Sequence, residues 1–173
     1  MLAFFTSTER GQTDRLLANV ADRLRGGGVH LAGAIQINVE RPDSPRCDME
    51  LHVLDGDQCV RISQNLGRAS RGCRLDADGL ERAVGLVQAA LAAGPDLLVV
   101  NKFGKQEADG RGFRPLIGEA LAACIPVLTA VGPSNRAAFL DFCDGIAEEM
   151  PADPDALCDW YARQARGLHA ASA

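Results

Sequence analysis

The chain contains only two lysines, Lys102 and Lys105, three residues apart, and every other basic residue is arginine. An ammonium is a compact point charge on a flexible stem, whereas a guanidinium is a planar fork, so the two are not equivalent partners for a phosphate or another oxyanion. Lysine confined to the stretch Leu98-Val99-Val100-Asn101-Lys102-Phe103-Gly104-Lys105-Gln106-Glu107 points to an anion met there. Glu107 offers a carboxylate that can orient water, and Lys105 offers a cation that can stabilise developing negative charge. These two are the candidate catalytic pair, with Asn101, Lys102 and Lys105 as candidate ligand-binding residues. A second cationic segment carries Arg68, Arg71 and Arg74, spaced by threes and interleaved with Gly67 and Gly72. Arginine forks beside glycines that permit close backbone approach suit a tetrahedral oxyanion, which makes Arg71 and Arg74 binding candidates. The competing explanation for all these charges is a solvated surface on an acidic protein.

A third segment, Thr6-Ser7-Thr8-Glu9-Arg10-Gly11-Gln12-Thr13, lies between an apolar run and a helical pattern. A phosphate-binding loop at such a place has the form G-x-x-x-x-G-K-[ST], in which amides cradle the phosphate, Lys neutralises it and Ser/Thr holds magnesium. Here Gly11 and Thr13 keep the second glycine and the final hydroxyl, while Thr6 replaces the first glycine and Gln12 the lysine. Gly11, Gln12 and Thr13 are therefore binding candidates on a degenerate motif. The plainer alternative is a strand-to-helix loop in which Ser7 or Thr8 helps to cap the helix. Nucleotide hydrolases of this type also place an acidic pair at the end of an apolar strand, for magnesium and for catalysis. This chain has Asn101 and Lys102 at that point.

These three segments need elements to hold them. Leu2 to Phe5 is a short apolar run, and Leu16, Leu17, Val20, Ala21 and Leu24 share one helical face that ends at Gly26-Gly27-Gly28. Val29 to Val39 reads as a strand, so the opening is a strand-helix-strand unit with a right-handed crossover. Pro42 and Pro45 then interrupt the chain. Met49 to Leu54 and Cys59 to Ser63 flank Asp55-Gly56-Asp57-Gln58 as a hairpin. A helix is expected over residues 76 to 93 with Asp76 as N-cap, a buried strand over 96 to 101, an amphipathic helix over 111 to 124, and a strand over 126 to 131. Ser134 to Glu149 and Asp153 to Leu168 both read as helices. The alternation predicts one α/β domain over residues 1–173: a three-layer, doubly wound, mainly parallel sheet with a hairpin and arginine-loop insertion at about 40–75. Ligands in such sheets bind beyond the carboxyl ends of the strands. That directs attention to Thr6–Thr13, Lys102–Gly112 and Gly132–Asn135.

The bulk numbers narrow the function class. A net charge of −5 argues against broad nucleic-acid binding. The apolar runs are strand-sized, so no membrane span is expected, and Met1 to Phe5 lacks the basic start of a signal peptide. The six cysteines include no Cys-x-x-Cys pair and the three histidines are scattered, so no metal site is expected. Reduced thiols and a cytoplasmic location are the default. Cys124 and Cys143 fall in apolar helical patterns and are expected to be packing residues. Cys47-Asp48-Met49-Glu50 with His52 brings hard and soft donors together, but alternation along a half-buried strand is the favoured reading.

The order of strand, degenerate loop, helix, hairpin and Asn101–Glu107 resembles an uncharacterised bacterial family, a domain of unknown function associated with molybdenum transport loci. Gln36, Cys47-Asp48-Met49-Glu50-Leu51, Ile62-Ser63-Gln64, Gly72-Cys73-Arg74-Leu75-Asp76, Asn101 to Glu107 and Pro126-Val127-Leu128 carry the resemblance, which covers nearly the whole chain. That family is in turn distantly similar to the small thermophilic nucleoside-triphosphatases, whose segment Asp-Glu-Ile-Gly-Lys-Met-Glu aligns with Gly104, Lys105 and Glu107. Asn101 and Lys102 stand where its acidic pair would be. The resemblance implies a P-loop-like, nucleotide-binding fold and a link to molybdenum metabolism.

Three readings follow. The leading one is a binding or regulatory protein holding a small anionic ligand: ATP or GTP with Mg²⁺, phosphate, or molybdate. Gly11, Gln12 and Thr13 would supply amides and a hydroxyl, Lys102 and Lys105 charge, and Arg71 or Arg74 closure. The second is an active nucleoside-triphosphatase using Glu107 and Lys105. The third is a ligand-free interaction module whose last helix, with Leu157, Trp160 and Tyr161, docks a second copy or a molybdenum-pathway protein.

Overall fold

The computed structural model describes residues 1–9, 11–42, 44–64 and 74–171, with side chains in those ranges except at 44–46 and 169–171. Arg68, Arg71, Cys73 and Arg10 lie outside the described residues. Seven strands form one sheet: β1 (Leu2–Phe5), β2 (Leu31–Arg41), β3 (Ser44–Val53), β4 (Cys59–Arg61), β5 (Leu97–Phe103), β6 (Val127–Val131) and β7 (Ala147–Glu149). Their order is β4-β3-β2-β5-β6-β1-β7. β2, β5, β6, β1 and β7 pair in parallel, while β3 and β4 join antiparallel at one side. The helices are α1 (Gln12–Gly26), α2 (Ala77–Ala92), α3 (Lys105–Ala108), α4 (Arg114–Ala122), α5 (Arg136–Cys143) and α6 (Pro154–Ala171).

Apolar side chains alternate along the central strands, and the alternation divides the interior into two layers. Leu97 and Val99 face α1 and α6, where Leu17, Val20, Leu157 and Trp160 are buried. Leu98 and Val100 face α2, α4 and α5, where Val87, Ile117 and Phe139 close the other layer. The three-layer α/β expectation is met. Leu157 and Trp160 are core residues, which removes them from any exposed docking face on the last helix.

The structure departs from the sequence reading in four places. First, the expected helix over 134–149 stops at Cys143, where Asp144 and Gly145 take left-handed backbone. Ala147–Glu149 then adds a parallel strand beside β1. Second, the chain does not lose its pairing at Pro42 and Pro45. It turns there, Arg41 faces Ser44, and β3 runs back along β2 as far as Val53 opposite Ala34. Third, Cys124 is exposed rather than packed. It holds the left-handed position after α4 (φ 59°), with Ile125 N–H donating to Ala120 O and Cys124 N–H to Leu121 O. Fourth, strand adjacency would bring the loops after β1 and β5 together, but β6 runs between the two strands.

Candidate functional site

The helices after β1 and after β6 lie on opposite faces of the sheet, with α1 in one layer and α5 in the other. This makes a topological switch point between the two strands, and the loops Thr6–Gly11 and Gly132–Asn135 flank it. Gly11 precedes α1 with φ 73°, a left-handed turn that glycine adopts without strain. No side chain caps the helix. Gln12, in the place of the motif lysine, folds back so that Ser7 Oγ donates to its Oε1 at 2.5 Å. At the end of β1 the Thr6 hydroxyl is buried and finds no hydrogen-bond partner among the described residues. A buried, unmade hydrogen bond costs roughly 1–3 kcal/mol, so such a group calls for a partner.

Asn101 reaches this loop by a route the sequence did not reveal. Its Nδ2 donates at 3.0 Å to Oδ1 of Asp14, in the first turn of α1. Its Oδ1 accepts the Gln36 N–H at 3.0 Å. Gln36 Nε2 donates to Asn38 Oδ1 at 3.1 Å, and Asn38 Nδ2 donates to Asp14 Oδ2 at 2.8 Å. Asp14, Asn101, Gln36 and Asn38 thus close a ring that ties α1 to the carboxyl ends of β2 and β5. Asp14 and Asn38 escaped the sequence analysis. The available signal was an acidic residue immediately after Thr13 and the polar interruption of an apolar strand at Gln36 and Asn38.

Lys102 is one residue further along β5 and therefore projects into the opposite layer. With Asn101, Arg74, Lys105 and Glu107 it lines a cavity of about 470 Å³ under the β3–β4 hairpin. The remaining wall is mainly apolar, with Leu51, Ile62, Leu75, Leu80 and Phe113. Gly11, Gln12 and Thr13 do not line this cavity. The binding candidates are therefore distributed over two neighbouring places, and Asn101 takes part in both.

The carboxylate of Glu107 is buried, at 4 % exposure. Its Oε2 accepts the Gly104 N–H at 2.9 Å and its Oε1 the Phe113 N–H at 3.0 Å. Gly112 stands so close, with φ 58°, that a Cβ would lie 2.3 Å from Oε1. Through these two bonds Glu107 braces the segment 104–113. Arg74 is also engaged: its Nη2 donates to Cys47 O at 3.2 Å and stands 3.9 Å from Asp48 Oδ1. Asp48 receives Arg61 at 2.9 Å and the Ser63 hydroxyl at 3.2 Å as well. Glu50 turns to His52 instead, 3.7 Å away across the exposed face of the hairpin, and Cys59 lies opposite. By contrast, Lys102 and Lys105 are exposed and form no ion pair among the described residues.

Residues 2–160 match the family described as protein of unknown function DUF2478. The chain belongs to the DUF2478 family. This DUF2478 chain is 37 % identical over 150 residues to the molybdenum import ATP-binding protein ModC 2 of Bradyrhizobium diazoefficiens. The matched region takes in 86 % of this chain but 16 % of that protein, so the chain spans a small part of its relative's length. In structure it is similar to THEP1 from the hyperthermophile Aquifex aeolicus, with a TM-score of 0.59 over 90 % of this chain and 91 % of that one. At 11 % identity, what the two share is the fold, a P-loop-nucleoside-triphosphatase-like α/β sheet. No helix among the described residues of the DUF2478 chain is long and apolar enough to cross a membrane.

Proposed function

We propose that this chain binds a nucleotide or a tetrahedral oxyanion, phosphate or molybdate, at the Thr6–Thr13 loop, and acts as a binding or regulatory protein in molybdenum metabolism. One observation carries the reading: an uncapped helix of 15 residues begins behind a left-handed glycine, and the loop leading to it starts at a buried hydroxyl with no partner among the described residues. Helix N-termini attract anions through free amides and the helix dipole. Here the Thr6 hydroxyl and the switch point at β1 and β6 add a donor and a crevice. The amides of Gly11 and Thr13 and the Thr13 hydroxyl hold the anion, while the Gln12 N–H is engaged by Glu9 O at 3.3 Å and the Gln12 side chain leaves Ser7 to join them. Lys102 and Lys105 contribute field from across the rim. The link to molybdenum is supported by the similarity to a molybdenum import ATP-binding protein, and nucleotide binding by that similarity together with the fold.

The residues fit a magnesium ion poorly. Asn101 replaces the expected carboxylate and its oxygen is taken by the Gln36 amide, while both Asp14 oxygens already accept amide hydrogens. Binding rather than turnover is accordingly the reading the geometry favours.

The test is thermal unfolding with ATP, GTP, phosphate or molybdate at millimolar concentration, supported by titration calorimetry. A ligand at a hundredfold its Kd adds about 2.7 kcal/mol of apparent stability. At least one of the four should raise the Tm, and Thr13→Ala and Thr6→Val should each diminish the rise. Absence of any shift with all four overturns the proposal.

A further inference from the structure

We infer that the cavity beneath the β3–β4 hairpin is a second binding site, for a small amphipathic anion with a ring-sized apolar body and one acidic group. This goes beyond the anion reading of the Thr6–Thr13 loop and does not depend on it. A volume of about 470 Å³ lies within the range of small-molecule sites, roughly 300–1,000 Å³. Its depth is apolar. Leu51, Ile62, Leu80 and Phe113 are all at least nine-tenths buried and belong to the core layer beneath the hairpin, so the walls are rigid.

Among the described residues, the charge available at the mouth is positive. Glu107 lines the cavity, but both its oxygens are turned into backbone amides of its own loop. Arg74 is held by Cys47 O and shares Asp48 with Arg61 and Arg41, so its guanidinium is engaged at the wall without reversing the positive sign. What remains available is the pair Lys102 and Lys105, exposed and without a carboxylate partner among the described residues. An apolar chamber whose entrance carries two uncompensated ammonium groups selects a ligand with an apolar body and an anionic head. Buried Gln36 and Asn101 at one wall are fixed by the amide ring and give the body a polar edge to align against.

The sequence pattern agrees with this division. Two-residue periodicity in β5 sends Asn101 toward α1 and Lys102 into the opposite layer. The two lysines therefore serve the chamber directly and the loop only at a distance. An inorganic oxyanion uses none of the apolar wall, which is why the chamber calls for a different class of ligand.

The experiment uses two fluorescent probes on the full chain: anilinonaphthalene sulfonate, which joins fused rings to a sulfonate, and phenylnaphthylamine, its uncharged counterpart. The sulfonate should bind with enhanced fluorescence while near-UV circular dichroism stays native. In Lys102→Ala/Lys105→Ala its affinity should fall about tenfold or more, the scale of one or two lost charge-assisted contacts. The neutral probe should bind that variant as it binds the native chain. Met49→Trp, which fills the chamber from a half-buried lining position, should abolish binding of both. Thr13→Ala should leave both unaffected. No binding of the sulfonate, equal loss of both probes in the lysine variant, binding that survives Met49→Trp, or loss of binding in Thr13→Ala would each overturn the inference.

Discussion

Glu107 spends its carboxylate on two main-chain amides, and that choice has a measurable cost when altered. In Glu107→Gln one oxygen becomes an NH₂ facing a backbone N–H, so one buried donor loses its acceptor. A loss of roughly 2 kcal/mol is expected from urea unfolding. Gly112→Ala should cost at least as much, because its new Cβ collides with the same carboxylate and takes a left-handed φ. At Asn101 the expectation is different. Asn101→Asp restores the acid usual at such a strand end, but sets it against Asp14, which now receives the Asn101 Nδ2 at 3.0 Å. Two carboxylates at that distance repel, so the variant should lose roughly 1–3 kcal/mol at neutral pH and recover part of it as the pH falls. It should gain no phosphate-releasing activity. A fully stable Asn101→Asp protein would show that the amide ring is not what holds α1 to the sheet.

At the scale of the elements, strongly periodic segments were legible and short or unusual ones were not. Leu16, Leu17, Val20, Ala21 and Leu24 specify α1, and Leu97 to Val100 specify a buried parallel strand, because burial on one or both faces writes itself into residue type. β7 has only Ala147-Glu148-Glu149, partly exposed at a sheet edge, and edge pairing uses backbone that any sequence supplies. The same limit applies to Cys124. The turn after α4 has the paired bonds of a Schellman motif, a position where glycine is usual, yet cysteine occupies it. Cys124→Gly should relieve left-handed strain at an exposed site and raise stability by about 1 kcal/mol, read as a higher urea midpoint with unchanged slope. An unchanged or lower midpoint would mean that the αL conformation is not strained there.

For the whole molecule, the structure confirms the sheet, and among the described residues it sets the Thr6–Thr13 loop apart from the cavity lined by Lys102, Lys105 and Arg74. Asn101 and Lys102 are adjacent in the chain, yet one faces α1 and the other the hairpin. Strand alternation sends the two side chains toward different layers, although Asn101 also lines the cavity with Lys102. Alkaline pH tests the interior as a unit. Burial pushes the Cys143 thiol up to about 11, from 9.0, and Cys158 and Tyr161 move in the same direction, mainly through burial. Above pH 9 the unfolded chain releases the Cys143 proton while the folded chain keeps it. The stability contributed by the neutral thiol is whole below that point and is lost as the pH approaches 11. The loss amounts to roughly 2 kcal/mol for this group, and Cys143→Ala should flatten that part of the profile while Cys158 and Tyr161 retain the rest.

The outermost strands, β4 and β7, are each three residues long, with Arg61 on one and Glu148 and Glu149 on the other. A long bare border would offer a ladder for a stray chain to climb, and charged side chains discourage it further. Among the described residues either ladder ends after one or two rungs, so copies crowded together are offered little backbone to grip.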